Sequence, residues 1–221
     1  ADPDDQPRGD LRINVPRIVV QHFVEPHLGE FARRYPGVRL EVLVDDGLGD
    51  IVREGYDAGI RLLEAVPDSM IAIPVTPPIA MAMVASPAYF AANPPPVGPT
   101  DLARHNCVAY RQTGSAAIYR WEFTDPSTGD DVSVEPEGCF VTNSDDVMLS
   151  TALQGAGLVM HMDFAVREHV ASGRLVRVLD RWCPPFDGFQ IYIPSREQMP
   201  AKLRAFVDFL VEKRRLVERR M

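Results

Sequence analysis

The 221-residue sequence predicts an α/β chain arranged as two lobes, each a sheet flanked by helices. Two observations carry this. Short apolar runs of strand length alternate with segments whose apolar residues recur at helical spacing. A hydrophobic fraction of 46% with 24% charged residues suits a chain that buries a sizeable core, between one large domain and two small ones.

Residues 1–10 are polar, with Pro3, Pro7 and Gly9, and read as a flexible lead-in or linker remnant without the apolar core of a signal peptide. Leu11 to Val15 is a short strand stopped by Pro16. From Arg17 the period turns helical, with Val20, Val24, Leu28, Phe31 and Tyr35 on one stripe, until Pro36-Gly37 ends it. Val38 to Val44 alternates as a strand, Asp50 to Glu54 reads as a brief helix, and Asp57 to Arg61 as another strand. A β-α-β-α-β series of this kind predicts a parallel sheet with covered faces.

Met70 to Val75 and Ile79 to Ala85 follow as strands around Pro77-Pro78. Ser86 caps a short helix with Pro87 at its first position, and Asn93 to Pro99 is a loop. Short β runs surround Val108, Trp121 and Phe140, with turns at Asp125-Pro126 and Thr128-Gly129. Asn143-Ser144-Asp145 offers cap chemistry to a helix closed by Gln154-Gly155. A strand begins at Leu158 to Met160, a helix runs through Val170, and Leu175 to Leu179 and Phe189 to Ile193 are strands. The last helix opens near Pro200, with Leu203, Phe206, Val207, Leu210 and Val211 on one stripe. With two crossover strands at Ala85-Ser86-Pro87 and Pro184-Pro185, the first lobe takes residues 11–84 and 186–217. The second, residues 85–185, is inserted between them.

The charge balance is 23 basic against 31 acidic residues, net −8, with an isoelectric point near 5.1. Such a surface repels phosphate backbones, so this chain by itself is a poor nucleic-acid binder. Cys107, Cys139 and Cys183 lie far apart with no metal-ligand spacing and read as small buried hydrophobes. No run of about 18 apolar residues exists that could span a membrane. His22, His27, His105, His161 and His169 show no zinc spacing, and there is no nucleophile elbow, phosphate loop or dinucleotide fingerprint, so neither enzyme activity, metal nor cofactor is expected. The pairs Asp45-Asp46, Asp130-Asp131 and Asp145-Asp146 read as solvated turns or caps.

Eight phrases, in order from residue 9 to about 211, resemble one family: GDLRINVPR, FARRYPGVRLEVLVDD, DIVREGYDAGIR, MVASPAYFA, PTDLARHNCVAYR, LQGAGLV, SGRLVRVL and YIPSREQMPAKLRAFVDFL, while YRWEF with WCPPFDGF resembles a subgroup of it. Together they are similar to the effector-binding domain of LysR-type transcriptional regulators. The resemblance implies a two-lobed type-II periplasmic-binding-protein-like fold with a small-molecule effector site between the lobes. It also implies a cytoplasmic homodimer or homotetramer, with promoter DNA contacted through a winged helix-turn-helix that precedes the present segment.

On that template the first candidate is Pro16-Arg17-Ile18, where the first strand meets the first helix; a solvated Arg17 is the plain alternative. Asn143-Ser144-Asp145 is the second, at a helix start whose backbone N–H groups favour anions, although capping alone explains these residues. Arg111 with Thr113, Gly114 and Ser115 suits carboxylate recognition or is a bland polar loop. Arg61 faces the cleft or forms an ion pair with Asp57 or Glu64. Met81 and Phe186, with Met83 and Phe189, form an apolar wall or pack in the core, and His161 is expected as a satisfied structural histidine. The set of Arg17, Arg61 and Arg111 points to an organic anion. The first helix is expected to offer an exposed apolar edge for dimerisation. A solute-binding protein of a transporter is the competing reading, and an enzyme on the same fold the third.

Overall fold

The computed structural model describes residues 6–47, 49, 51–194 and 199–218. Twelve strands are formed among them: β1 (Gly9–Val15), β2 (Val38–Val44), β3 (Ala58–Leu62), β4 (Ile71–Pro74), β5 (Met81–Ala85), β6 (Ala109–Tyr110), β7 (Trp121–Thr124), β8 (Asp131–Val134), β9 (Val141–Thr142), β10 (Val159–Met162), β11 (Val176–Val178) and β12 (Phe189–Ile193). The α-helices are α1 (Arg17–Val19), α2 (Leu28–Arg34), α3 (Pro87–Ala92), α4 (Asp145–Leu153), α5 (Asp163–Ala171) and α6 (Ala201–Glu218). The chain divides into two compact units, one of residues 1–78 and 187–221, the other of residues 79–186.

In the first unit the sheet order is β2-β1-β3-β12-β4. β1 runs parallel to β2 and β3, as the early β-α-β pattern predicts, whereas β12 is antiparallel to both β3 and β4. The sheet is therefore mixed, because its last strand to be reached returns from the far end of the sequence. Gly9 and Asp10, expected in the lead-in, already belong to β1 and pair with Val38 and Arg39. Leu11, Ile13 and Val15 of β1 are fully buried, since α6 packs over that strand. Phe206 and Phe209 of α6 meet Phe31 of α2 edge-on, with ring centroids 5.4 and 5.3 Å apart. At Gly59 a Cβ would stand 2.5 Å from the Tyr192 ring across the β3–β12 pair, so the strand needs glycine there.

The first helical segment is not one helix. After α1 the backbone takes a π turn at Val20–Val24 and a 3-10 turn at Glu25–His27 before α2 begins. Pro26 is the cause: it has no N–H to donate and its ring crowds the preceding turn. Of the expected stripe, Val24 and Phe31 are buried, whereas Val20, Leu28 and Tyr35 are half-buried. The brief helix expected at Asp50 to Glu54 is instead a turn over residues 51–55, with Asp50 outside the described residues.

In the second unit, β5 lies between β10 and β11, antiparallel to both. β5 was grouped by its sequence with the first lobe, yet both its edges are hydrogen-bonded here. Its alternation serves two cores. Met83 and Ala85 join Tyr89, Leu102, Cys107, Trp121 and Leu158 on one side. Ala82 and Val84 join Met148, Val159, Val166 and Leu175 on the other, where α4 and α5 contribute. Ser86 caps α3 as expected, its hydroxyl accepting the Tyr89 N–H at 3.2 Å with Pro87 at the first position. Gly155, φ +78°, closes α4 in the left-handed conformation that glycine adopts without strain. The β7–β8 hairpin turns over Asp125 to Asp130. Cys107 and Cys183 are buried, but Cys139 is exposed, against the expectation for all three.

Candidate functional site

In the first unit the candidates gather at the carboxyl ends of the parallel strands, where neighbouring backbone groups run out of ladder partners. The Pro16 carbonyl accepts the N–H groups of both Val19 and Val20 at 3.0 Å, which starts the first helix. Arg17 donates its backbone N–H to Asp46 Oδ1 at 2.8 Å, and its half-exposed guanidinium lies 3.9 Å from Asp46 Oδ2. Ile18 is turned into the core.

Arg61 is buried and does not pair with Asp57 or Glu64. Asp57 is taken by the Arg12 N–H at 2.8 Å and by Lys202 at 3.3 Å. Arg61 instead donates to neutral oxygens: Ile60 O at 2.7 Å, Asn14 Oδ1 at 2.5 Å and Gly47 O at 2.6 Å. Its Nε has no partner among the described residues. Burial pulls the guanidinium below its ordinary proton affinity, against the opposing pull of Tyr192, Asp45, Asp46 and Glu54. Asn14 also reaches Asp45 Oδ2 at 3.4 Å, and Asp45 Oδ1 accepts the Gly47 N–H at 2.8 Å. A latch results, joining the ends of β1 and β3 to the loop after β2.

In the second unit the parallel pairing of Tyr110 with Thr142 sets the residues after β6 and β9 side by side. The Arg111 N–H donates to Thr142 O at 2.8 Å, and the Ser144 N–H to Thr142 Oγ1 at 3.1 Å. Arg111, Asn143, Ser144 and Asp145 are thereby brought together. The Arg111 guanidinium, exposed, donates to Ala116 O at 2.6 Å, across a turn in which Ala116 adopts φ +56°. Thr113 is exposed, and Ser115 bonds within the same turn, to Gln112 Oε1 at 3.0 Å. Ser144 stands at the cap of α4, but its side chain makes no capping bond. Met81 and Phe186 are half-buried. The Met81 carbonyl accepts from Arg177, and Phe186 bridges to Ile79. Met83 and Phe189 are core residues.

His161 departs from expectation. It is buried on β10, yet neither ring nitrogen has a hydrogen-bond partner among the described residues. Its Nε2 lies 3.6 Å from Asp145 Oδ1. Burial lowers the ring's proton affinity, opposed by the nearby backbone of Met162 and Asp145, which falls short of hydrogen-bond geometry, and by the Asp146 charge. Among the described residues no group of three or more His, Cys, Asp or Glu is placed to hold a metal ion.

Residues 4–215 match the family model of the LysR substrate binding domain. The chain belongs to that family. Among curated relatives of this LysR substrate-binding domain, a putative transcriptional regulator of Pseudomonas aeruginosa is 36% identical over 206 residues, covering 93% of this chain and 67% of its own. The HTH-type regulator YcaN of Escherichia coli is 36% identical over 204 residues, covering 92% and 66%. The chain thus spans about two thirds of the length of the curated relatives it matches. The solved structure of CrgA, a LysR-type regulator from Neisseria meningitidis, superposes with a TM-score of 0.78 at 27% identity, over 94% of this chain and 69% of that one. Full-length AphB, a Vibrio cholerae virulence activator, does so at 0.81 and 25%, over 95% and 70%. The fold is the two-lobed α/β, periplasmic-binding-protein-like fold of such regulatory domains.

Two features of this LysR substrate-binding domain were not read from its sequence as site residues. Asn14, the one polar side chain inside the last three residues of the first strand, anchors Arg61. Asp46 holds the first helical N–H, so the Asp45-Asp46 pair does cap, as its composition suggested. The signal for Asn14 was present: an amide in an otherwise apolar run is buried only with partners.

Proposed function

We propose that this chain is the effector-sensing part of a LysR-type DNA-binding transcriptional regulator. The observation that carries the reading is the match to the substrate binding domain over residues 4–215, in line with relatives that are themselves described as transcriptional regulators. The effector is a small molecule, and its candidate contacts are Pro16, Arg17, Arg111, Asn143, Ser144 and Asp145. Arg17, half-exposed, and Arg111, exposed, support an organic anion as its class. The remaining candidates serve otherwise. Arg61 positions the loop after β2, Ile18 packs in the core, and Thr113 and Ser115 shape the turn beside Arg111. Met81 and Phe186 supply half-buried apolar surface.

The protein assembles as a homodimer or homotetramer in the cytoplasm, and the regulator reads promoter DNA through a segment outside the present sequence. The effector acts by its differential affinity for two arrangements of the assembly. A transporter's solute-binding protein is disfavoured, because the matched relatives are regulators. Among the described residues, no helix is long and apolar enough to cross a membrane.

A thermal-shift screen of small carboxylates, amines and polyols tests the reading. At least one carboxylate is expected to raise Tm, and Arg17→Ala or Ser144→Ala to abolish the rise. A library in which only neutral or cationic compounds stabilise the protein contradicts the anion class.

A further inference from the structure

A side chain 3% exposed whose two ring nitrogens find no hydrogen-bond partner among the described residues is costly. His161 is such a residue, and its surroundings give it a task. Nε2 aims at the start of α4, 3.6 Å from Asp145 Oδ1, just beyond hydrogen-bond reach. Asp145 is the first residue of α4, and its side chain is 24% exposed. The helix N-terminus stabilises a carboxylate there. One step before it, the Ser144 side chain makes no bond across the cap. A carboxylate placed in this way has one side toward solvent and an imidazole behind it. It has about four lone-pair sites and can accept from both directions at once.

The local charge decides what it accepts. A second anion would meet the Asp145 and Asp146 carboxylates, whereas a hydrogen-bond donor meets an acceptor. We propose that Asp145 is a specificity-determining residue, taking an ammonium or hydroxyl donor carried by the effector, and that His161 is its positioning residue, the Nε2–H closing on Oδ1 as the donor binds. This rests on the effector-sensing reading and adds to it: beside any anionic group, the effector carries a donor.

Acetate, glycolate and glycine are suitable probes, for they share a carboxylate and differ by a hydroxyl or an ammonium. Amide and histidine-ring ¹⁵N NMR spectra are recorded on the whole chain with each. Glycolate or glycine, but not acetate, is expected to shift the amides of residues 144–147. The same probe should move the His161 Nε2 signal toward that of a hydrogen-bonded donor. Which of the two acts separates hydroxyl from ammonium. Asp145→Asn should weaken the response roughly tenfold or more, the loss of a hydrogen bond to a charged group. His161→Gln, which keeps an N–H, should retain more of it than His161→Leu. Equal shifts with acetate, no shift with any probe, or an Nε2 signal unmoved while the Asp145 amide shifts would each overturn the proposal. An effector found by screening that binds Asp145→Asn as tightly as the parent overturns it too, while leaving effector sensing intact. Failure of every compound to stabilise the protein removes the broader reading with it.

Discussion

Arg61 and Asn14, 47 residues apart in sequence, share a 2.5 Å hydrogen bond between Nη2 and Oδ1, in a place where both side chains are almost wholly buried. The same Nη2 holds Gly47 O at 2.6 Å. One guanidinium therefore fixes the end of β1, the end of β3 and the loop that follows β2. That loop in turn carries Asp46, which receives the first N–H of α1.

Removing Arg61 leaves the Asn14 and Gly47 oxygens buried without donors. Arg61→Met is expected to destabilise the first unit by about 2–4 kcal/mol, from the unmatched acceptors and the lost charge-assisted bonds. Arg61→Lys should not restore it, because an ammonium cannot reach three oxygens in the planar arrangement of the fork. Urea denaturation of the variants measures both.

The aromatic contact of α2 with α6 is expected to be the first unit's most sensitive packing point. Phe31→Ala opens a cavity against Phe206 and Phe209 and should cost about 3–5 kcal/mol. Phe31→Leu should recover most of that. The midpoint of the same denaturation curve reports the difference.

Stability should fall on acidification from the histidines alone. Burial holds His161 below its ordinary value of 6.5, with His27, His105 and His169 lowered in the same direction. The unfolded chain therefore binds protons first, so stability is flat above pH 6.5 and declines as pH falls below it. His161→Gln should flatten part of the decline. Tm measured across this range in a low-salt buffer series shows the slope and its sign.

The cysteines should separate by reactivity. Burial pushes the Cys107 thiol up to about 12 and the Cys183 thiol up to about 11, while Cys139 is exposed. A thiol reagent at pH 8 is expected to modify Cys139 alone in the folded protein and all three after unfolding. Mass spectrometry of the labelled peptides identifies the positions.

Much of the fold could be read in the sequence because apolar spacing records burial directly. β2 and β12 lie at the bounds their patterns predict, and Ser86-Pro87 starts α3 through local cap chemistry alone. Spacing does not record strand direction, so the antiparallel entry of β12 into the first sheet was hidden. Nor does it resolve Pro26, whose missing N–H broke a stripe that looked continuous. The candidate site was legible where it is local: Pro16-Arg17 and Asn143-Ser144-Asp145 lie at strand-to-helix junctions. It was opaque where it depends on long-range polar pairing. For Arg61 the sequence leaves the cleft or an acidic partner open, because charge invites either, and the fold gives it Asn14. His161 was expected to be satisfied because buried histidines usually are.

Effector binding by the whole chain, read by thermal shift and confirmed by titration calorimetry, tests the central claim most directly. A carboxylate carrying a hydroxyl or amino group is predicted to raise Tm in a saturable manner, and to lose that effect in Arg17→Ala and Asp145→Asn proteins that remain folded. Stabilisation that persists undiminished in both variants, or a broad library in which no small molecule binds at all, would contradict it.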